Sequence, residues 1–589
     1  MHNQLNPEQK IAVESTGHVL LTACPGSGKT RVLTHKVAYE LERKHPKSYV
    51  IAITFTNRAS DEIKHRIEKL SIDDTYLWSG TIHSFCLEWI IRPYAGMLDE
   101  LKNGFSVADE YTSRELLRMA NEESGLNRNV YFINTRWTID GEYFDLNQSN
   151  RDVLDIYHEL LKSKKLIDFD LILFYAFKIL NLYPKIGKIL NNIFHIICVD
   201  EYQDTQELQY AILSKIIAVD ESKTRLFMVG DKDQAIYDSL GGVAKDIDEI
   251  RTDFGNIEIT PLELFGNYRT CQRIIDYYRN FQTANIEIES RCNYAEESGL
   301  ITYDNSLDKD VLAEYISRII RENLNSGIPE KEICILAPQW FLVIPMGRQL
   351  KSLLPDVNFD AYGLSPLHSS RENIWYKVAR LFLVEPSSRM YFNRIRWAKE
   401  LIQEFSNFGI ILYRDDDYSY KRILRIINSI KSNAMEGDQY LLECFIEFLN
   451  RMDINIDDYI QLKEAHEKFF ENLRDKLDDP KFGYAREIEF FKKIFEQGSG
   501  VVVNTCHGIK GEEFHSVIAF GILDRYIPHR SATNPIDSAN KLLYVICSRA
   551  KKNLHLISET GRVYWDWEDR QNYSYVPTDN LAQINYLYD

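Results

Sequence analysis

His18-Val19-Leu20-Leu21-Thr22-Ala23-Cys24-Pro25-Gly26-Ser27-Gly28-Lys29-Thr30 decides the fold. The first six residues read as a short buried strand. A glycine-rich turn follows, then an amphipathic helix from about Lys29 to Arg43. In such a strand–turn–helix, glycines let backbone N–H groups approach phosphate oxygens. The helix N-terminus adds unpaired donors and a favourable dipole. A plain connection could need the same glycines for sterics alone, but the Gly-Lys-Thr ending favours a nucleotide. Ala23, Cys24, Pro25, Gly26, Ser27, Gly28, Lys29 and Thr30 are therefore expected to cradle its phosphates. Lys29 would reach the β and γ phosphates, and Thr30 would hold Mg²⁺. Ala23 stands where the general pattern has its first glycine.

Working outward, Tyr49–Phe55 is a second apolar run, followed by a helix from about Asn57 to Leu70. His195–Val199 and Leu226–Val229 read as two further strands. Strands alternating with helices indicate a parallel α/β sheet. Between Trp89 and Asn192 the pattern is mostly helical. A second α/β pattern starts near Ile301, includes Ile333–Ala337, breaks off near Arg371, and resumes at Val501–Val503, Val517–Phe520 and Leu554–Ile557. The fold class is α/β, with two parallel-sheet cores each interrupted by a mainly helical insertion.

Ile196-Ile197-Cys198-Val199-Asp200-Glu201 is an apolar strand ending in two carboxylates. Ligands of open α/β sheets bind outside the carboxyl ends of the strands. Asp200 could hold Mg²⁺ through water, and Glu201 could polarise an attacking water. Alone, an Asp-Glu pair after a strand is an ordinary loop start. Its weight comes from the phosphate loop upstream.

The 589 residues carry 70 Lys and Arg against 87 Asp and Glu, a net charge of −17. Any phosphate-backbone binding is therefore expected in a local groove, with strong salt dependence. The nine cysteines include no CxxC pair, which argues against a disulfide framework or zinc ribbon and fits a reducing cytoplasm. No apolar run approaches a membrane span, and the polar start carries no signal peptide.

The ordered motifs resemble those of the UvrD/Rep/PcrA family of superfamily 1A DNA helicases. Leu5-Asn6-Pro7-Glu8-Gln9 resembles the adenine-reading Q motif, Thr54–Ala59 motif Ia, and Gly80–Phe85 motif Ib. Asp168-Phe169-Asp170 matches a stretch that commonly precedes motif II. Asp200-Glu201-Tyr202-Gln203-Asp204 is similar to motif II, with Tyr202 where Phe is common. Val229–Tyr237 resembles motif III, Asn267–Thr270 motif IV, Thr505–Phe514 motif V and Leu542–Lys551 motif VI. The resemblance implies RecA-like cores at 1–88 with 193–268 and at 269–371 with 497–589. It implies helical insertions at 89–192 and 372–496.

It also implies roles that spacing cannot supply. Gln9 would read adenine, Tyr268 would stack on it, and Glu513 would contact the ribose. Gln234 would sense the γ phosphate. Arg269 and Arg549 would be arginine fingers, a role suited to a planar, permanently charged guanidinium. Phe55, Thr81, His83, Tyr237, Thr505 and His507 would contact DNA. The implied protein is an ATP-dependent 3′-to-5′ translocase and helicase. It would use ATP and Mg²⁺ and act on single-stranded or partially duplex DNA.

Three departures temper that expectation. After Tyr237 the chain reads Asp238-Ser239-Leu240, where the family usually has an aromatic and an arginine. An aromatic there would stack on a base, worth about 1–3 kcal/mol. A weaker grip on bare strands, with unwinding dependent on a partner, is therefore expected. The insertion at 372–496 is short, at about 125 residues. The chain after motif VI is too short for the nuclease domain of the RecB and AddA relatives. These features suggest an alternative: a DNA-sensing ATPase subunit that regulates a separate nuclease, as in phage-defence (antiviral) systems such as Gabija. One basic–aromatic run, Arg389–Lys399, could touch DNA or a partner, though such runs are commonly helices with one solvated face.

Overall fold

The computed structural model describes residues 5–126, 133–145, 147–219, 222–237, 241–284, 286–360, 366–367, 373–387, 390–410, 419–478, 486–493, 500–530, 532, 534–566 and 569–589. The departure at Asp238-Ser239-Leu240 lies outside the described residues.

The first sheet has six parallel strands: β1 (His18–Ala23), β2 (Tyr49–Thr54), β3 (Leu77–Thr81), β4 (Phe194–Asp200), β5 (Arg225–Gly230) and β6 (Ile259–Leu264). Their order is β3-β2-β4-β5-β1-β6. The central strands are apolar along their middles because both faces are covered, with polar and charged residues only toward their ends. Two edge strands escape a sequence reading. Leu77-Trp78-Ser79-Gly80-Thr81 lacks a β-branched run, and Ile259–Leu264 carries Pro261 and Glu263. Proline is tolerated at an edge, where one side of the strand makes no ladder bonds.

The second sheet is also six-stranded and parallel, with β7 (Leu300–Asp304), β8 (Ile333–Ala337), β9 (Phe359–Asp360), β10 (Val501–Thr505), β11 (Phe514–Ala519) and β12 (Ala550–Ile557) in the order β7-β12-β11-β8-β10-β9. Thus two RecA-like parallel sheets are present, as expected. A β-hairpin, Val563–Asp566 with Gln571–Ser574, and a tail follow. The tail is tied down by the Arg273–Asp589 ion pair at 2.9 Å.

Three helices flank the first strands: α1 (Pro7–Glu14), α2 (Lys29–Arg43) and α3 (Asn57–Lys69). One face of the first sheet buries Leu21, Val32, Val37, Ile63 and Phe227. The other face is continuous with the helical insertion: Ile51, Val199 and Met228 share one cluster with Leu154, Tyr157 and the helix α4 (Phe169–Leu182) residues Leu173 and Ile179. The second insertion behaves differently. Its helices, including α5 (Ile374–Leu383), α6 (Tyr391–Asn407) and α7 (Ser419–Ser429), close on their own cluster of Trp375, Phe382, Leu401, Phe448 and Phe469. Within the basic–aromatic run, Arg394 is buried and donates to the carbonyl of Leu381 at 2.8 Å and to that of Val384. It caps the end of α5 and is not available to a partner. Arg389 lies outside the described residues.

Candidate nucleotide site at the seam of the two sheets

The phosphate loop lies where the sequence puts it. β1 ends at Ala23, and Gly26 and Gly28 take φ of 70° and 85°, a region that favours glycine. A Cβ on Gly26 would lie 2.6 Å from Asn267 Oδ1 and 2.7 Å from Arg269 Cβ, so residues leading into the second core press directly on the loop. α2 starts at Lys29 with no side-chain cap, which leaves its first amides free for an anion. Ser27 is turned inward, its Oγ donating to the Cys24 carbonyl at 2.7 Å. Cys24 is a buried thiol pushed up to about 12, first by burial and then by Asp231, so it remains protonated. Pro25 is buried and Thr30 half-buried. Lys29 folds back to the Ala23 carbonyl at 3.4 Å, a weak contact that a phosphate would replace.

α1 carries the Q-motif residues. Asn6 and Gln9 form a capping box, with Pro7 at the first helical position. Gln9 Oε1 accepts from the Asn6 amide at 3.1 Å, and Nε2 donates to the Ser27 carbonyl at 2.9 Å. Gln9 therefore braces the phosphate loop.

β4 delivers Asp200 and Glu201 beside the loop. Glu201 sits in the left-handed region, φ 51° and ψ 51°. A non-glycine residue there costs of order 1–3 kcal/mol and is typical of functional sites. Gln203, which the sequence reading left without a role, holds the arrangement. Its Nε2 donates to Glu201 Oε2 at 2.5 Å and its Oε1 accepts from the Asp231 amide at 3.0 Å. Gly230 is obligatory here, because a Cβ would lie 2.1 Å from Gln203 Oε1. Burial, with Glu201 second, pushes Asp200 up to about 7 against the pull of Lys29. Burial also opposes ionisation of Glu201, yet Lys29, Lys510 and the Gln203 hydrogen bond together hold it below the usual carboxylate range. The two neighbouring carboxyls are thus driven apart, with Glu201 the ionised one.

The second core contributes cations. Arg549 is 1% exposed, and its Nη2 donates to Gln234 Oε1 at 2.6 Å. Gln234 Nε2 in turn donates to Asp231 Oδ2 at 2.7 Å, so one amide bridges the two cores. Burial, with Arg269 second, lowers Arg549 to about 10, still fully charged near neutrality. Lys510 ion-pairs with buried Asp204 and donates to the Gln234 carbonyl at 2.8 Å. Arg269 Nε lies 2.5 Å from Glu513 Oε2. Glu513, expected at the ribose, pairs with Arg269 and lies 3.7 Å from Lys551. Tyr268 is 42% exposed, its amide donates to the Gly26 carbonyl at 2.9 Å, and its hydroxyl accepts from Asn6 Nδ2 at 2.6 Å.

The expected DNA contacts lie at the carboxyl ends of strands in both sheets. Phe55 follows β2 and stacks on Tyr237 at 4.7 Å. Tyr237 lies 5.8 Å from His507 and donates to its carbonyl at 3.1 Å. Thr81 pairs in register with Thr54 and caps the helix beginning at Ile82. His83 meets Phe169 edge-on at 5.5 Å, and burial lowers it to about 4, leaving a neutral ring. Thr505 is buried and its hydroxyl accepts from the Gly508 amide at 3.1 Å, so it supports a turn. Phe55, Tyr237 and His507 are brought together across the seam, while Thr81 and His83 form a separate group on the first core.

Thr30 and Asp200 are hard oxygen donors of the kind Mg²⁺ takes. Among the described residues no group of three or more His, Cys, Asp or Glu could hold a metal ion.

Residues 5–255 match the family model of the UvrD/REP helicase N-terminal domain. The ATP-dependent DNA helicase PcrA of Staphylococcus epidermidis is 24% identical over 98% of this chain and 86% of that protein. PcrA of Staphylococcus aureus is 24% identical over 95% of this chain and 84% of its own length. The match runs through both sheets and both insertions, and residues of the Q motif and of motifs II to VI meet at one seam. The chain is thus similar along nearly its whole length to the UvrD/Rep/PcrA superfamily 1A helicases, and its first 255 residues carry their N-terminal domain signature, which together support a DNA-dependent ATPase of that kind.

Proposed function

We propose that this chain hydrolyses ATP at the seam and converts opening and closing of the seam into 3′-to-5′ movement along single-stranded DNA, unwinding duplex ahead of it. The supporting observation is the Gln234 amide, bonded at once to Asp231 of the first core and Arg549 of the second. A γ phosphate arriving beside Lys29 would compete for both partners, so nucleotide state would be read as contact between the cores.

In this reading Lys29 binds the β and γ phosphates, and Glu201, oriented by Gln203, takes the proton of the attacking water. Arg269 and Arg549 stabilise charge on the transferring phosphoryl group. Mg²⁺, held by Thr30 and through water by Asp200, would neutralise phosphate charge. Arg269 would leave Glu513 to do its part. Phe55 and Tyr237, now stacked on each other, would part to admit a base. The units are taken as 1–88 with 193–268, the insertion 89–192, 269–371 with 497–589, and the insertion 372–496. Nine free cysteines, eight of them buried, suit a reducing cytoplasm, and among the described residues no helix is long and apolar enough to cross a membrane.

Phosphate release is the test, measured with and without single-stranded DNA in the wild type and in Glu201→Gln. Stimulation by DNA in the wild type and loss of about 10²–10⁴-fold in the variant are expected. Absence of stimulation would reject the motor, and an unchanged variant rate would reject Glu201 as the base. The second reading, a DNA-sensing subunit for a separate nuclease in antiviral defence, rests on the separate core of the second insertion. It predicts DNA-stimulated ATPase without strand separation by the chain alone.

A further inference from the structure

Glu8 and Arg291 belong to no motif role assigned above, yet they meet beside Tyr268. Gly266–Asn267 pairs in parallel with Glu289–Ser290, which carries Arg291 back onto the segment before Tyr268. The Arg291 amide donates to the Asn267 carbonyl at 2.6 Å. Its side chain crosses Gly266, where a Cβ would lie 2.8 Å from Arg291 Cδ. The guanidinium covers the Phe265 ring at 5.0 Å. Its Nη1 lies 3.1 Å from Glu8 Oε1, an ion pair that ties the first helix to the chain beyond motif IV.

The second carboxylate oxygen, Glu8 Oε2, is shielded from solvent and accepts no hydrogen bond among the described residues. An ionised oxygen left so is costly, and a donor arriving with a ligand would remove the cost. An ordinary ion pair explains Oε1 and leaves Oε2 unexplained. Gln9, the expected base reader, already has Oε1 bonded to the Asn6 amide and Nε2 to the Ser27 carbonyl. Asn6 Nδ2 bonds the Tyr268 hydroxyl at 2.6 Å. The polar side chains beside Glu8 are therefore committed to one another and to the phosphate loop, and Glu8 keeps an unused acceptor among the described residues.

We propose that Glu8 is a specificity-determining residue, its free oxygen accepting from the exocyclic amine of adenine, and that Arg291 is the positioning residue that aims it. This rests on the reading of the seam as an ATP site. The amine is the only N–H donor of an adenine nucleoside base. Guanine presents a carbonyl at the same ring position, which a carboxylate repels.

Binding of ADP and of purine riboside 5′-diphosphate, which lacks only the amine, tests this by competition against a fluorescent nucleotide on the full chain. The wild type is expected to prefer ADP by about tenfold or more, the range of a hydrogen bond to a charged group. Glu8→Ala should bring the ratio close to one. Arg291→Ala should lower it, and Arg291→Lys, which keeps the ion pair, should restore it. Equal binding of the two nucleotides by the wild type overturns the proposal whether or not a variant folds. So does an undiminished preference in Glu8→Ala. Failure of the wild type to bind ADP at all would instead strike the ATP-site reading, and the proposal with it.

Discussion

The first sheet buries a charge cluster at each end of the same strands, and the two are built on opposite plans. At the amino ends, Lys36, Glu40, His195 and Arg225 form a self-contained network. Glu40 is 1% exposed and bonds Lys36 at 2.8 Å, His195 at 2.9 Å and Arg225 at 2.5 Å. Lys36 completes its shell on the carbonyls of Val13 and Ser15. At the carboxyl ends, Asp200, Glu201 and Asp231 are gathered around one lysine, Lys29, whose side chain makes a long hydrogen bond to its own loop. The cations that balance them, Lys510 and Arg549, come from the other sheet. A closed network can only stabilise the fold that contains it. An incomplete one couples to whatever supplies the missing charge, whether a second core or a nucleotide.

That contrast can be broken by single substitutions. Arg549→Ala should have the largest effect: if Arg549 acts as the proposed arginine finger, ATP turnover falls by about 10³-fold or more. Phosphate release at saturating ATP measures it, and a near-normal rate would mean the carboxyl-end cluster needs no second core. Glu40→Gln should do the reverse. Burial opposes ionisation of Glu40, but hydrogen bonds from His195 and Arg225 and the charge of Lys36 hold its carboxyl at about 2. Its stabilisation is complete above the unfolded value near 4.5 and is lost as pH falls toward 2. The variant should therefore be less stable by about 3 kcal/mol at pH 7, with the gap to wild type closing through that acid window. Denaturant unfolding at several pH values checks this, and turnover per folded molecule should stay near wild type.

Gln203→Ala tests whether orientation matters inside the incomplete cluster. Turnover should fall by about tenfold, the loss of one hydrogen bond to a charged group, with the Michaelis constant for ATP unchanged. A change in the Michaelis constant alone would make Gln203 a binding residue. Arg396→Ala should matter least. The Arg396–Asp61 pair at 3.0 Å links the second insertion to α3 and is half-exposed on both sides, so a double-mutant cycle with Asp61→Ala should return about 0.2–1 kcal/mol. A larger coupling would mean that the second insertion is fastened to the first core despite having its own hydrophobic cluster.

Much of the site was legible in advance because its residues are local. The phosphate loop, the Asp-Glu strand end and the capping-box helix are each defined by neighbours within ten residues, and dihedral preference and periodicity specify such units directly. Strands β3 and β6 were not legible, because an edge strand buries little and follows no apolar run. Lys510, Glu8 and Arg291 stand in plain sight in the sequence, but their partners lie about three hundred residues away.

The sequence by itself determined two parallel sheets, two helical insertions and the phosphate loop, since hydrophobic period and glycine placement act over short range. Only the tertiary structure decided that Arg549 meets Gln234, that Glu513 holds Arg269, and that one insertion shares the core of its sheet while the other keeps its own. Those outcomes depend on which buried charges and apolar faces find complements across long separations, a balance of desolvation against pairing that no local pattern encodes.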